Sequence, residues 1–126
     1  MCGITGMLRR GGERTAINAD VARMTAALAH RGPDAGDIWT DADAGVCFGH
    51  RRLSILDLSA AGAQPMHSDC GRFSVTFNGE LYNHLAIRDE LEAAGAAPDW
   101  RGHSDTETLL YAVRLWGIKA TLQRLN

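Results

Sequence analysis

The second residue of the chain is a cysteine, so removal of Met1 would leave a thiol and a free α-amine on the same residue. An α-amino group titrates near ~7.7–8.0 and can act as a general base on the adjacent thiol, directly or through a water. A terminal cysteine can therefore catalyse acyl transfer without a histidine. Many chains carry a small residue in second place, so Cys2 gains meaning only from the residues that accompany it.

Asn78, Gly79 and Glu80 follow an alternating strand pattern and could form an oxyanion site. The Asn78 side-chain amide and the Gly79 backbone N–H can point at one spot, because glycine lets its backbone approach a ligand closely. Asn-Gly is also a common turn dipeptide. These residues alone leave both interpretations open.

Another polar group is Ser104-Asp105-Thr106-Glu107, in which Ser followed three residues later by Glu is the capping-box pattern of a helix start. Asp105 is not needed for that cap, and a carboxylate in the first helical turn can bind an ammonium group. Arg52 is its complement, since a guanidinium offers a planar fork to a carboxylate; an exposed arginine without function is the alternative. Together the two would recognise an α-amino acid.

Size and composition indicate one ordinary globular domain, with 126 residues, 45% apolar and 22% charged. A net charge of −2 gives no argument for nucleic acid or an anionic membrane. No apolar run approaches the roughly 20 residues of a membrane span and no signal peptide is evident, so we expect a cytoplasmic protein. Cys2, Cys47 and Cys70 show no zinc-finger spacing, so neither a disulfide framework nor a metal site is expected.

The order of the predicted elements is that of an α+β protein. Hydrophobic periodicity and turn residues predict the following in the first half: a strand over 2–8, a helix over 19–29 capped by Asn18, a hairpin over 36–53 that turns at 41–45, and a loop over 57–70. The second half is predicted to contain a strand over Phe73–Phe77, a helix from its cap Asn83 to Ala94, a helix opened by Ser104, a C-cap at Gly117 and a last helix from about Ile118.

Several motifs occur in a fixed order along the chain. They are Cys2-Gly3-Ile4-x-Gly6, His30-Arg31-Gly32-Pro33-Asp34, Gly49-His50-Arg51-Arg52-Leu53-Ser54-Ile55-x-Asp57, Gln64-Pro65-Met66, Asn78-Gly79-Glu80-x-Tyr82-Asn83 and Ser104-Asp105-Thr106-Glu107. In this order and over essentially the whole chain, the sequence resembles the N-terminal glutaminase domain of asparagine synthetases. These are class II glutamine amidotransferases with an N-terminal nucleophile. The segment Arg52-Leu53-Ser54-Ile55 differs from the Arg-Trp-Ala-Thr type of the phosphosugar and phosphoribosyl amidotransferases.

The resemblance implies a role for each matching residue. Cys2 would attack the side-chain amide of glutamine and release ammonia, and Asn78 with the Gly79 N–H would form the oxyanion hole. Arg52 would hold the α-carboxylate and Asp105 the α-ammonium. Leu53, Ile55 and Glu80 would complete the pocket, while His30 and Arg31 would only fix a turn near it.

The fold that the resemblance implies is the four-layer αββα sandwich of N-terminal nucleophile hydrolases, truncated on its C-terminal side. Residues 1–126 would then be a partial glutaminase domain without the synthetase domain, and ATP and magnesium would be needed only by that missing domain. Sheet edges left unpaired by the truncation predict a homo-oligomer. Asparagine synthesis is the expected context, although amidotransferases of polysaccharide or exosortase-linked clusters share the pattern. A non-catalytic fragment that folds, dimerises or binds glutamine is the alternative function.

Overall fold

The structure is a computed structural model that describes residues 2–9, 15–54 and 59–126. Its elements are β1 (Gly3–Leu8), α1 (Thr15–Ala27), β2 (Ala35–Asp41), β3 (Val46–Arg52), a 3-10 turn (Ala60–Gly62), β4 (Met66–His67), β5 (Ser74–Val75), α2 (His84–Ala93) and α3 (Asp105–Leu122). This mixture of helices and strands is of the expected α+β kind. No helix in the described ranges is both long and apolar enough to span a bilayer.

The described residues form two compact units. The first unit holds 2–54 with 63–65 and 76–78, and the second unit holds 59–62, 66–75 and 79–126. The division falls within the predicted strand Phe73–Phe77 and again between Asn78 and Gly79.

The first unit is built on a three-stranded antiparallel sheet in the order β1-β3-β2. Gly3 pairs with Arg51 in the β1–β3 ladder, and Ala35 pairs with Arg52 in the β2–β3 ladder. The predicted first strand and the predicted hairpin are thus confirmed. β3 is the central strand, and its last residues lie beside the start of β1.

Helix α1 packs on one face of this sheet around Ile17, Val21 and Cys47, which are buried. Gly49 lies beneath the helix where a Cβ would overlap the hydroxyl groups of Thr25 and Thr5. Those two hydroxyl oxygens lie 2.8 Å apart in a hydrogen bond. Glycine at this position therefore lets helix and sheet approach closely.

The predicted start of this helix was wrong. Asn18 is not its N-cap but lies inside α1, which begins at Thr15. The Asn18 side-chain oxygen accepts a hydrogen bond from the Thr40 hydroxyl on β2. The Asn18 side chain therefore bonds to the sheet instead of capping the helix. Ile17, the residue before it, is buried against the same sheet.

The strand predicted over Phe73–Phe77 is shorter than expected. Only Ser74–Val75 forms a strand, and it pairs with Met66–His67, a two-residue strand inside the predicted loop 57–70. The Phe77 N–H donates instead to the Gln64 side-chain oxygen at 2.6 Å. The ladder ends at Met66, and Pro65 before it has no backbone N–H with which to continue it.

The second unit contains α2 and α3, which pack around Ile87, Leu91, Tyr111 and Ala112. Asn83 precedes α2 as predicted but makes no side-chain cap bond. Its amide nitrogen donates to the Arg124 carbonyl at 2.7 Å, and its side-chain oxygen accepts from the Asn126 N–H at 3.1 Å.

Two sequence features of α3 have the predicted structural roles. Gly117 interrupts the helix with φ 77° and ψ 166°, in the left-handed region that favours glycine. Ser104 is the N-cap, and its hydroxyl accepts from the Thr106 N–H at 3.2 Å. The reciprocal half of the capping box is not formed, because Glu107 is used elsewhere.

Glu107 is completely buried and supports the segment that leads into α3. Its carboxylate accepts hydrogen bonds from the Arg101 N–H at 3.2 Å, the Gly102 N–H at 3.3 Å and the Arg101 side chain at 3.1 Å. The Arg88 guanidinium lies 3.8 Å from it and donates to the Ser104 carbonyl at 3.1 Å. One carboxylate thus neutralises a buried arginine and satisfies two backbone donors.

We expect Glu107→Ala to lower the free energy of unfolding by about 3–5 kcal/mol, because it leaves Arg88 buried without its carboxylate. Urea denaturation measures this loss. The matched control is Glu90→Ala, whose pair with Arg124 is largely exposed and should contribute about 1 kcal/mol or less. Equal losses in the two variants would contradict the structural role of Glu107.

Candidate active site

Cys2 lies immediately before β1 and beside the residue that follows β3. The Leu53 N–H donates to the Cys2 sulphur at 3.3 Å, and the sulphur lies 3.5 Å from the Leu53 carbonyl oxygen. The β1–β3 register brings these residues close, because Gly3 pairs with Arg51 and both Cys2 and Leu53 lie just beyond that pair. The thiol is free and partly exposed, so it is both held in place and accessible.

The backbone of Cys2 is fixed by Arg31, whose Nε donates to the Cys2 carbonyl at 3.3 Å. Arg51 also fixes the turn that carries Arg31, because its Nε donates to the Gly32 carbonyl at 2.8 Å. A Cβ at Gly32 would overlap the backbone of Arg51, so only glycine fits. The sequence motif indicated only a turn-forming role for Arg31 and gave no sign of this contact with Cys2.

An open cleft of about 440 Å³ adjoins these residues and is lined by His30, Arg31, Pro33 and Leu53. The end of β3 is held next to it by Asp34, whose N–H donates to the Arg52 carbonyl at 3.1 Å. The Asp34 carboxylate accepts the Ser54 N–H at 2.8 Å. The motif His30-Arg31-Gly32-Pro33-Asp34 therefore shapes the surroundings of Cys2 and Leu53.

Arg52 and Asn78 belong to the same unit as Cys2. Arg52 is buried on β3, Leu53 is partly buried, and Asn78 is exposed. Ile55, a predicted pocket residue, lies outside the described residues.

His50 is buried on β3, with only 1% of its surface exposed. Burial lowers the pKa of its imidazole, the Phe77 backbone partly opposes this, and the positive charge of Arg52 lowers the pKa further. The ring is therefore neutral near pH 7. Its Nε2 makes no hydrogen bond within the part of the chain that the structure describes. No local pattern in the sequence indicated a role for His50.

The remaining predicted site residues belong to the second unit. Gly79 and Glu80 are exposed, whereas Asp105 is buried at the start of α3. The Asp105 carboxylate accepts the Leu81 N–H at 2.8 Å and the Thr106 hydroxyl at 3.3 Å. Its orientation is thus fixed, and it ties the chain that follows Glu80 to the first turn of α3.

Over the described ranges, no three His, Cys, Asp or Glu side chains are gathered in a way that could hold a metal ion.

Comparison with known proteins identifies the family. The model of the glutamine amidotransferase domain matches residues 1–126. The chain therefore belongs to the glutamine amidotransferase domain family, and its relatives are asparagine synthetases that it matches in their N-terminal portion.

Asparagine synthetase [glutamine-hydrolyzing] 1 of Bacillus subtilis is 38% identical over 118 residues, which cover 90% of this chain and 18% of that protein. A putative asparagine synthetase [glutamine-hydrolyzing] of Mycobacterium tuberculosis is 35% identical over 138 residues, which cover 100% of this chain and 21% of that protein. A fungal protein named amidase chry2, from Gibberella zeae, is 33% identical over 94% of this chain. The chain spans about a fifth of the length of the synthetases it matches.

The buried histidine predicts a pH dependence of stability. Because the pKa of His50 is lower in the folded protein than its usual value near ~6.5, the unfolded chain binds the proton more readily. Stability should therefore fall as the pH drops below about 6.5. Urea denaturation at pH 7.5 and pH 5.5 should show a smaller loss for His50→Gln than for the wild type. His103→Gln, at an exposed histidine, is the control and should keep the wild-type difference.

Proposed function

We propose that this chain hydrolyses the side-chain amide of glutamine, with Cys2 as the nucleophile, and releases ammonia and glutamate. The observation that carries the proposal is the placement of the Cys2 thiol. Cys2 is partly exposed, its sulphur accepts a hydrogen bond from the Leu53 N–H, and its backbone carbonyl accepts one from Arg31. The chain also belongs to the glutamine amidotransferase domain family.

The reaction begins once Met1 has been removed. The α-amine of Cys2 takes the thiol proton as the sulphur attacks the amide carbon, so that a C–S bond forms and the carbonyl electron pair moves to oxygen. The C–N bond then breaks, the proton passes to the departing nitrogen, and ammonia leaves. Water attacks the thioester, the C–S bond breaks, and glutamate and the thiol result. The α-amine accepts the proton of the attacking water and passes it to the departing sulphur.

The negative charge on the intermediate oxygen needs donors, and we assign this role to the Asn78 side-chain amide and the Gly79 N–H. Both residues are exposed and able to meet a ligand. Arg52 would hold the α-carboxylate of glutamine, and Asp105 would hold the α-ammonium with a carboxylate that is already oriented by the Leu81 N–H. Leu53, Ile55 and Glu80 would complete the pocket.

The ammonia would be consumed by an ATP-dependent amidation of the kind that asparagine synthetases perform. The relatives are named asparagine synthetases [glutamine-hydrolyzing], and they are about five times as long as this chain. A synthetase domain, which would need ATP and magnesium, is thus the proposed partner of this domain. The four-layer αββα sandwich remains the proposed complete fold, and the α1 layer packed on the sheet of the first unit is in keeping with it.

A glutamine-analogue electrophile tests the nucleophile. We expect it to add one label per chain at Cys2, detected by the mass of the N-terminal peptide, and Cys2→Ala should abolish it. Cys70→Ala removes an exposed thiol elsewhere and should label normally. Asn78→Ala should lower kcat for glutamate release by about 10²–10³-fold.

Protein that has lost Met1 yet binds glutamine without labelling would contradict catalysis. It would instead support the alternative of a non-catalytic glutamine binder.

We also propose self-association through β1. β1 is an edge strand of its sheet, as β2 is on the other side, and its Ile4 and Leu8 are 46% and 61% exposed. An exposed apolar edge favours pairing with another copy. Sedimentation should show an oligomer that Leu8→Lys shifts towards monomer, with Leu85→Lys on α2 as the control. A wild-type monomer at all concentrations would contradict this proposal.

A further inference from the structure

Gln64 is a buried polar side chain that makes a specific contact with the segment before Asn78. Its side-chain oxygen accepts the Phe77 N–H at 2.6 Å, and Gln64 is only 9% exposed. Phe77 directly precedes Asn78 in the chain and lies in the same unit as Gln64. The bond therefore orients the peptide group between Thr76 and Phe77, one residue before Asn78.

His50, on β3, also interacts with the backbone of Phe77. The Phe77 backbone lies close enough to act on the imidazole in the sense expected of a carbonyl that accepts an N–H. The Nε2 atom is nevertheless buried without a hydrogen bond in the described structure.

We propose that Gln64 and His50 are positioning residues for the oxyanion site. Gln64 holds the Phe77 N–H and His50 acts on the Phe77 backbone from β3, so that together they set the Asn78 amide towards the developing oxyanion. This inference rests on the proposed function, because it assigns a purpose to Asn78. Neither residue touches the substrate.

Side chains can control this segment because Phe77 lies outside the strand. β5 ends at Val75, so no described backbone ladder holds residues 76–78. Two side chains, one on β3 and one between the 3-10 turn and β4, take over what a neighbouring strand would do. Misplacement of a catalytic group by about 1 Å can lower the rate about 10²-fold, so this control would be felt in kcat.

Gln64→Leu tests the first contact by removing the acceptor at similar size. We expect kcat for glutamate release to fall about 10²-fold with the KM for glutamine changed by less than about 3-fold, because the groups that would hold the amino-acid end are untouched. Gln64→Glu keeps an acceptor oxygen and should restore most of kcat. The control is Thr76→Val, which removes a buried hydroxyl without a hydrogen bond one residue before Phe77 and should keep wild-type kinetics.

His50 is tested by the same logic. His50→Leu should lower kcat about 10-fold or more at unchanged KM, while His50→Gln keeps an N–H donor and should recover part of it. A higher KM and a lower thermal stability, with kcat unchanged, would reduce both residues to a structural role. That result would overturn the proposal.

The decisive measurement is a double-mutant cycle with Asn78→Ala. If Gln64 acts through Asn78, Gln64→Leu should have little further effect on kcat in the Asn78→Ala background. Independent, multiplicative losses would overturn the proposal.

Amide hydrogen exchange separates this proposal from the proposed function. In the wild type the Phe77 amide should be protected, and Gln64→Leu should remove that protection while the β3 amides stay protected. Loss of protection in a protein that neither labels at Cys2 nor releases glutamate would support the Gln64 contact and refute the glutaminase. Unchanged protection would refute the contact itself.

Discussion

The antiparallel pairing of β1 with β3 is the constraint on which the rest of the site depends. Gly3 pairs with Arg51, so the residue before β1 and the residue after β3 meet at one corner of the sheet. A shift of register by one residue would turn every side chain of β1 to the other face. The face towards α1 must hold Gly49 beneath Thr25, so burial of that face fixes the register and, with it, the contact between Cys2 and Leu53.

Outside the sheet, both units fix irregular backbone with polar side chains that are buried or partly buried. In the first unit, the Gln64 side chain accepts the Phe77 N–H, and Arg31 donates to the carbonyl of Cys2. In the second unit, Asp105 takes the N–H of Leu81, and Glu107 takes those of Arg101 and Gly102. Such bonds hold loops that carry exposed chemical groups, because buried backbone donors must be satisfied and no strand is available to do it.

Local patterns predicted the elements well where their residues act locally. The hairpin of β2 and β3 and the break at Gly117 follow from turn composition and from the freedom of glycine. Asn18 does not cap α1, and Asn83 stands at the N-cap of α2 without a side-chain cap bond, because both side chains bond to groups distant in the chain, the Thr40 hydroxyl and the Arg124 carbonyl. The predicted strand over Phe73–Phe77 was too long, and the Phe77 N–H bonds to the side chain of Gln64, 13 positions away.

The sequence by itself determined the chemical inventory and the family. A thiol at position 2 and the ordered motifs around Arg52, Asn78 and Asp105 are matters of residue type and spacing, which folding does not alter. Only the tertiary structure decided that Arg31 holds Cys2, that Gln64 holds Phe77 and that His50 is buried and neutral. These contacts join residues between 13 and 29 positions apart or depend on burial, and no local pattern encodes the long-range packing that creates them.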